Sequence, residues 1–188
     1  MDKNSHRVIV IGDSFVGKTS IIMRYITKKF SDKQDETIGA GFHQIRILLP
    51  TGLVNLQVWD TAGQERYKSL GPIYYHGAQA GIFVYDSSNL QTFNNIESWL
   101  RVFYETVGKN IPCMLIGNKA DIEANQVPVQ NAIEFANLHN MTFMEASAKT
   151  GFNIENIFYA VALNFQYDNL SKEGLIVEEK KKSCSCSI

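Results

Sequence analysis

The 188-residue chain predicts one α/β domain with a six-stranded, mixed but mostly parallel sheet flanked by about five helices. Six short apolar runs alternate with segments whose apolar residues recur at helical spacing. Such alternation is typical of crossover units in a parallel sheet that helices cover on both faces. One connection is too short for a crossover, and this makes the sheet mixed.

The predicted strands are the short apolar runs of the chain. The connection between the second and third runs contains the turn residues Pro50, Thr51 and Gly52. Three residues can join only antiparallel neighbours, so we expect a hairpin at this point. The six strands are predicted at residues 8–11, 45–49, 54–59, 82–85, 114–116 and 142–144.

The predicted helices follow from apolar residues at helical spacing. Segments 92–107 and 154–167 each carry an apolar stripe, which favours a core-facing surface over a cofactor site. Cys113 is likewise expected in the core, because a free cysteine packs like a small apolar residue. The helices are predicted at residues 19–30, 66–75, 92–107, 129–140 and 154–167.

Composition limits the class of protein. Residues 1–168 are expected to form the domain and 169–188 a flexible tail, because the periodicity ends there and a lysine run follows. A net charge of -1 without a basic cluster in the body argues against nucleic-acid binding. No signal sequence or membrane-spanning apolar run is visible, and position 2 lacks the glycine that myristoylation needs. The odd cysteine count suits a reducing compartment, so a cytoplasmic chain is expected.

A phosphate-binding loop follows the first strand. Residues 12–19 read Gly-Asp-Ser-Phe-Val-Gly-Lys-Thr, which matches Gly-x-x-x-x-Gly-Lys-Ser/Thr. Its glycines let the backbone aim N–H groups at phosphate oxygens, Lys18 supplies a charge, and the Thr19 hydroxyl suits magnesium. A helix that begins here adds its positive N-terminal dipole. The predicted nucleotide contacts of this loop are Ser14, Phe15, Val16, Gly17, Lys18, Thr19 and Ser20.

Asp60 follows the third predicted strand and begins Asp-Thr-Ala-Gly-Gln. By itself this short sequence is also compatible with an ordinary turn. Together with a phosphate loop at the end of another strand, a carboxylate at a strand end is the arrangement expected of a magnesium site. Asp60 is therefore expected to hold the ion, through water.

Residues 118–121, Asn-Lys-Ala-Asp, follow the fifth strand and favour guanine. The Asp121 carboxylate can accept hydrogen bonds from guanine N1–H and the 2-amino group, whereas adenine would leave it unpaired. Asn118 could bond the Hoogsteen edge and brace the loops, while the Lys119 stem lies along the ring. A backbone N–H after the sixth strand can reach the guanine carbonyl oxygen. The residues there are Ser147, Ala148 and Lys149.

These four blocks, in this order, resemble the Ras superfamily of small GTPases over about residues 6–168. Residues 37–42 and 59–67 are similar to the two switch segments of its Rab family. Residues 74–78 resemble the Rab sequence Tyr-Tyr-Arg-Gly-Ala, with His76 in place of arginine.

The finer similarity is to the early-endosomal branch of that family. It rests on residues 69–80 and on the small residues of 38–42. Gly41 departs from the second alanine of that branch and from the acidic residue of most other Rabs.

By that resemblance the chain has the P-loop NTPase fold and hydrolyses GTP to GDP. Thr37 would bond the γ-phosphate, as would the Gly63 N–H, and both contacts end when that phosphate leaves. Phe30 would stack on the base edge, the alternative being a core residue that ends the first helix. Gln64 would orient the attacking water, while Lys18 stabilises charge on the transferred group. The implied magnesium ligands are Thr19, Thr37 and Asp60.

The resemblance also implies partners for a monomeric protein. Phe42, Trp59 and Tyr74 match a surface aromatic triad that presents the switch state to effectors. No arginine stands where a finger in cis is expected, so hydrolysis should be slow until a GTPase-activating protein accelerates it. An exchange factor, Rab escort protein and GDP-dissociation inhibitor are implied as well. By the same resemblance, this protein would itself regulate vesicle traffic from the cytosolic face of endosomal membranes.

The tail ends Cys184-Ser185-Cys186-Ser187-Ile188. Farnesylation by the Cys-a-a-X rule needs cysteine where Ser185 stands. The Cys-x-Cys spacing instead resembles doubly geranylgeranylated Rab tails, although two residues follow it here. Two lipid chains would anchor the protein stably to a membrane. The alternative is that both cysteines stay unmodified thiols.

Phe15 stands where the family usually has a small residue. Its ring could point to solvent, or it could support the first switch or meet an activating protein. Two other functions stay open at this point. A phosphate-loop kinase or ATPase is disfavoured by residues 118–121, and a guanine-nucleotide-binding module with little turnover is disfavoured by Gln64.

Overall fold

The computed structural model describes residues 5–32, 37–63 and 71–172, the last six as backbone only. Their strands form one six-stranded sheet in the order β2-β3-β1-β4-β5-β6. β2 pairs antiparallel with β3 through a hairpin that closes at Leu49 and Gly52, and the other pairs are parallel. The predicted mixed α/β sheet is confirmed. The strands are β1 (Ser5–Ile11), β2 (Ala40–Leu49), β3 (Gly52–Thr61), β4 (Ala80–Asp86), β5 (Cys113–Asn118) and β6 (Met141–Glu145).

The helices differ from the predicted ones mainly at their ends. The first stops at Thr27, because Lys28 adopts the left-handed conformation and its N–H bonds the Arg24 carbonyl. The last continues to Lys172 instead of ending at 167. The described helices are α1 (Lys18–Thr27), α2 (Gly71–Tyr75), α3 (Leu90–Asn94), α4 (Ile96–Val107), α5 (Val129–Leu138) and α6 (Ile154–Lys172).

The single helix predicted over 92–107 is wrong, because the segment forms α3 and α4 with Asn95 between them. Asparagine is a poor residue for a helix interior, because its side chain bonds nearby polar groups instead. The predicted helix over 66–75 is described only from Gly71, and residues 66–70 lie outside the described residues.

Apolar side chains fill both faces of the sheet. Along β1, Val8 and Val10 belong to the core beneath α1 and α6, whereas Ile9 and Ile11 belong to the opposite core beneath α4. Both predicted apolar stripes are in these cores, as is Cys113. Within the described residues, no helix is long and apolar enough to cross a membrane.

Candidate nucleotide site

A cleft of about 410 Å³ lies at the carboxyl ends of the parallel strands, where the loops after β1, β3, β5 and β6 meet. Most of the site residues predicted from sequence lie on its walls. Val16, Asp60 and Ser147 are buried and do not line it, and Gln64 lies outside the described residues. The lining residues are Ser14, Phe15, Gly17, Lys18, Thr19, Ser20, Phe30, Ser31, Asp32, Thr37, Gly63, Asn118, Lys119, Asp121, Ile122, Ala148 and Lys149.

The glycines of the phosphate loop are required by their surroundings. Gly12 and Gly17 have φ values of 146° and 95°, in the region that glycine favours. A Cβ on Gly12 would lie 2.1 Å from the Val84 carbonyl oxygen, and one on Gly17 would lie 2.2 Å from Asn118 Nδ2. The loop can therefore pass this close to β4 and β5 only with glycine at both positions.

Lys18 holds a buried positive charge at the base of the loop. Its side-chain nitrogen donates to the carbonyl oxygens of Gly12, at 2.9 Å, and Asp13, at 2.6 Å. Burial lowers the Lys18 pKa to about 8, against the opposing effect of Asp60 and Asp13. A buried cation with two neutral oxygens as hydrogen-bond acceptors is suited to an anionic ligand such as phosphate.

Three predicted magnesium ligands lie together. Thr19 Oγ1 donates to Asp60 Oδ2 at 2.6 Å and lies 3.0 Å from Thr37 Oγ1, which is 3.3 Å from the same carboxylate oxygen. Asp60 is 2% exposed, and its Oδ1 has no hydrogen-bond partner among the described residues. Burial raises the Asp60 pKa, so a nearby cation would stabilise its charged form. Hydroxyl and carboxylate oxygens with one unsatisfied buried atom fit magnesium.

Asn118 joins three loops of the site. Its Nδ2 donates to the Val16 carbonyl at 2.8 Å, and its Oδ1 accepts from the Ala148 N–H at 3.1 Å. Nearby, Ser147 Oγ donates to Asp121 Oδ1 at 2.5 Å. This bond leaves the second carboxylate oxygen of Asp121 available at the cleft. The expected bracing by Asn118 is therefore present, and Asp121 is oriented by a hydroxyl.

Asp86 supports a lining residue of the site, and the sequence prediction missed it. Its Oδ2 forms a 2.6 Å ion pair with Lys119 Nζ, and Ser88 donates to its Oδ1 through backbone and hydroxyl. Burial alone would raise the Asp86 pKa, but the bonds from Lys119 and Ser88 outweigh it and the pKa is lowered. The available signal was its position at the carboxyl end of β4, like that of Asp60 near the end of β3.

Gly63 and Phe30 complete the walls of the cleft. A Cβ on Gly63 would lie 2.3 Å from the Asp13 carbonyl carbon and 2.4 Å from Lys18 Nζ, so only glycine fits there. Phe30 lines the cleft and also packs against the core under α1. The two predicted roles of Phe30 are therefore compatible. Phe15, by contrast, is 71% exposed, which favours a ring in solvent.

The aromatic residues of the predicted triad lie beside the first switch segment. Phe42 and Trp59 meet edge to face with centroids 5.4 Å apart. Arg7 lies 4.2 Å above the Trp59 ring and donates to the Tyr74 carbonyl at 2.9 Å. Arg7 thus connects Trp59 to Tyr74, and the sequence did not predict this role. The predicted lipidation sites, Cys184 and Cys186, lie outside the described residues.

The comparison with protein-family models agrees with this geometry. The model described as the Ras family matches residues 7–166, which is well over half of the chain. The match includes every loop around the cleft. The chain therefore belongs to the Ras family, and it is a small GTP-binding switch with GTPase activity.

Proposed function

We propose that this Ras-family switch is a Rab-type regulator of vesicle traffic that cycles onto the cytosolic face of endosomal membranes. The observation that carries the proposal is an exposed apolar surface beside both switch segments. Phe42 is 48% exposed on it, Ile38 83% and Ile73 68%. Exposed aromatic and apolar clusters of this kind serve as anchors for protein partners. Effectors would bind this surface in the GTP-bound state.

This surface is connected to the residues that would respond to the nucleotide. The Gly39 carbonyl accepts from the Ala62 N–H at 2.8 Å, next to Gly63. A Cβ on Gly39 would lie 3.3 Å from the Tyr74 hydroxyl, so the first switch segment also lies against α2. When Thr37 and Gly63 lose the γ-phosphate, the segments that carry the surface are released with them.

The proposed roles in binding follow the geometry of the cleft. Thr19, Thr37 and Asp60 would hold magnesium, which would supply positive charge beside the phosphates. Lys18 and the backbone N–H groups of the loop would stabilise charge on the transferred phosphoryl group. Asp121 would select guanine, and Phe30 would cover the base. Nucleotide contacts are further proposed for the lining residues Ser14, Phe15, Gly17, Ser20, Asn118, Lys119, Ala148 and Lys149. For Val16 and Ser147, which are buried, contacts are proposed from the sequence motifs alone.

Gln64 is proposed to orient the attacking water. We expect intrinsic hydrolysis on the order of 10⁻⁴ to 10⁻³ per second, the range of Ras itself, and acceleration by a GTPase-activating protein. In single-turnover assays, Gln64→Leu should lower the intrinsic rate, while Gln44→Leu, an exposed position on β2, should leave it unchanged. Equal rates for Gln64→Leu and wild type would contradict the role. Binding of GTP without hydrolysis by wild type would instead indicate a nucleotide-binding module.

The membrane role is tested on full-length protein from its native cell. Mass spectrometry should find geranylgeranyl groups on Cys184 and Cys186, with residues 169–188 acting as the tail of a 1–168 switch domain. The lipidated protein should bind anionic vesicles, and a GDP-dissociation inhibitor should extract the GDP-bound form in preference to the GTP-bound form. Protein carrying Cys184→Ser and Cys186→Ser should stay in solution. An unlipidated tail would refute the anchor.

A further inference from the structure

The carboxylate of Asp13, in the phosphate loop, is held by the segment that joins α3 to α4. Asn95 Nδ2 donates to Asp13 Oδ2 at 2.7 Å, and Trp99 Nε1 donates to Asp13 Oδ1 at 2.7 Å. Because residues four apart share one face of a helix, both donors reach the same carboxylate. Asp13, Asn95 and Trp99 are named the Asp13 clamp below.

The main chain of Asp13 lies against two parts of the nucleotide site. Its carbonyl oxygen accepts from Lys18 Nζ at 2.6 Å. A Cβ on Gly63 would lie 2.4 Å from that oxygen, so the segment after β3 passes directly over it. A shift of Asp13 would therefore move the acceptor of the buried ammonium and the support of Gly63 together.

The donors of the clamp are themselves held in place. Asn95 Oδ1 accepts from Gln91 Nε2 at 3.0 Å, which leaves Nδ2 directed at Asp13. The Trp99 ring is 4% exposed and packs in the core beneath α4. Hydrogen bonds to a carboxylate from donors fixed in this way are stronger than those between neutral groups. The interruption between α3 and α4 at Asn95 coincides with the clamp.

We propose that the Asp13 clamp positions the phosphate loop and slows the release of guanine nucleotide. Asn95 and Trp99 are positioning residues, since they act through Asp13 and do not line the cleft. The inference rests on the nucleotide site of a Ras-family switch and is independent of the proposed membrane role. A partner that pulled α4 away from Asp13 would, by the same geometry, accelerate nucleotide exchange.

The test measures release of a fluorescent GDP analogue from the full-length protein in magnesium, after dilution into excess GDP. Trp99→Phe keeps an aromatic ring but removes the donor, and Asn95→Ala removes the other donor. Each should speed release by at least about 10-fold, as expected when one hydrogen bond to a charged group is lost. In an Asp13→Ala background, neither substitution should speed release further, because the acceptor is already gone.

A pair exchange tests the contact directly. Asp13→Asn combined with Asn95→Asp puts the carboxylate on α4 and the amide on the loop. An amide at position 13 can still accept from Trp99 and donate to position 95, where a carboxylate still accepts from Gln91. The exchanged pair should therefore release the analogue within about twofold of wild type, whereas Asn95→Asp alone should release it fastest, since it opposes two carboxylates.

The matched control is Phe103→Leu on the same helix. Phe103 is fully buried and contacts the rings of Tyr75 and Phe83. It should lower stability in chemical denaturation without speeding release. The proposal is overturned if Trp99→Phe leaves the release rate unchanged or if Phe103→Leu speeds release equally. It is also overturned if Trp99→Phe or Asn95→Ala speeds release as much in the Asp13→Ala background as in wild type. Loading of the wild type with the analogue establishes nucleotide binding separately from all these outcomes.

Discussion

Phe15 has a backbone conformation that phenylalanine rarely adopts. Its φ of 62° is in the left-handed region, where a residue with a Cβ loses about 1 to 2 kcal/mol relative to the right-handed region. Its ring is 71% exposed, so burial offsets little of this strain. Strain of this kind is often retained at functional sites, and Phe15 lines the nucleotide cleft.

Replacement of Phe15 by glycine should raise the free energy of unfolding by up to about 1 kcal/mol. Glycine relieves the backbone strain of about 1 to 2 kcal/mol. It also raises the conformational entropy of the unfolded chain, which lowers stability by only about 0.4 to 1 kcal/mol. Chemical denaturation of the nucleotide-free protein measures the change. Phe152→Gly is the control, since Phe152 is 54% exposed but is not among the residues with positive φ. It should lower stability, and an equal loss in both variants would contradict the prediction.

Lys18 makes stability depend on pH. Its pKa falls from 10.5 to about 8 in the folded protein because of burial. Well below pH 8 the amine is protonated in both the folded and the unfolded protein. Folding then carries the full free-energy cost of burying its charge. Between pH 8 and 10.5 the unfolded chain binds the proton and the folded protein does not, so folding stability rises with pH.

The nucleotide-free wild type should therefore gain about 1 kcal/mol of stability between about pH 7 and 9 relative to Lys18→Met. The measurement is the difference in unfolding free energy between the two proteins at several pH values across this range. Contributions from other groups, such as Cys113, whose pKa burial raises to about 11, are common to both proteins and cancel. A difference that stays constant across the range would show that the buried ammonium does not titrate in it.

At the scale of elements, the site depends on bonds between loops. Asn118, at the end of β5, is 1% exposed and satisfies the Val16 carbonyl and the Ala148 N–H at the same time. These two groups belong to the loop after β1 and the loop after β6. One buried amide therefore keeps three strand ends together.

Asn118→Ala should lower the free energy of unfolding by about 2 to 4 kcal/mol. It leaves two buried backbone groups unpaired, at about 1 to 3 kcal/mol each. It should also weaken binding of GDP, because both loops line the cleft. Denaturation and GDP titration measure the two effects. Asn131→Ala, at an exposed position of α5, should leave both nearly unchanged, and a similarly small effect at Asn118 would contradict the bridge.

The predicted elements show where local patterns suffice. The hairpin between β2 and β3 follows from three residues, because no crossover fits into so short a connection. The division at Asn95 was missed, because the apolar spacing of 92–107 continues across it. The end of α1 was missed as well. Lys28 ends the helix in a left-handed conformation, which residues other than glycine adopt only occasionally.

At the scale of the whole molecule, strand order brings the motifs together. β1 lies between β3 and β4, so the phosphate loop after β1 lies between the end of β3, which carries Asp60, and the end of β4, which carries Asp86. β5 and β6 follow, and they bring Asn118 and Ser147 to the same edge. The connections that start at this edge lead to helices on opposite faces of the sheet. The loops therefore diverge above β1, and the cleft lies between them.

The amino-acid sequence by itself determined the fold class, and it predicted the phosphate loop, the magnesium residues and the guanine-selecting residues. Each is encoded by short spacings, and the glycines at 12 and 17 leave the loop little conformational choice. The roles of Gln64, Cys184 and Cys186 also come from sequence alone and stay predictions.

The tertiary structure decided which distant side chains support these motifs. Asp13 lies 82 residues from Asn95 and 86 from Trp99, and Asp86 lies 33 from Lys119. A hydrogen bond over such a separation depends on which strands are neighbours and on how each helix packs across them. No local spacing encodes that packing, so the supports of the loop became visible only in the folded chain.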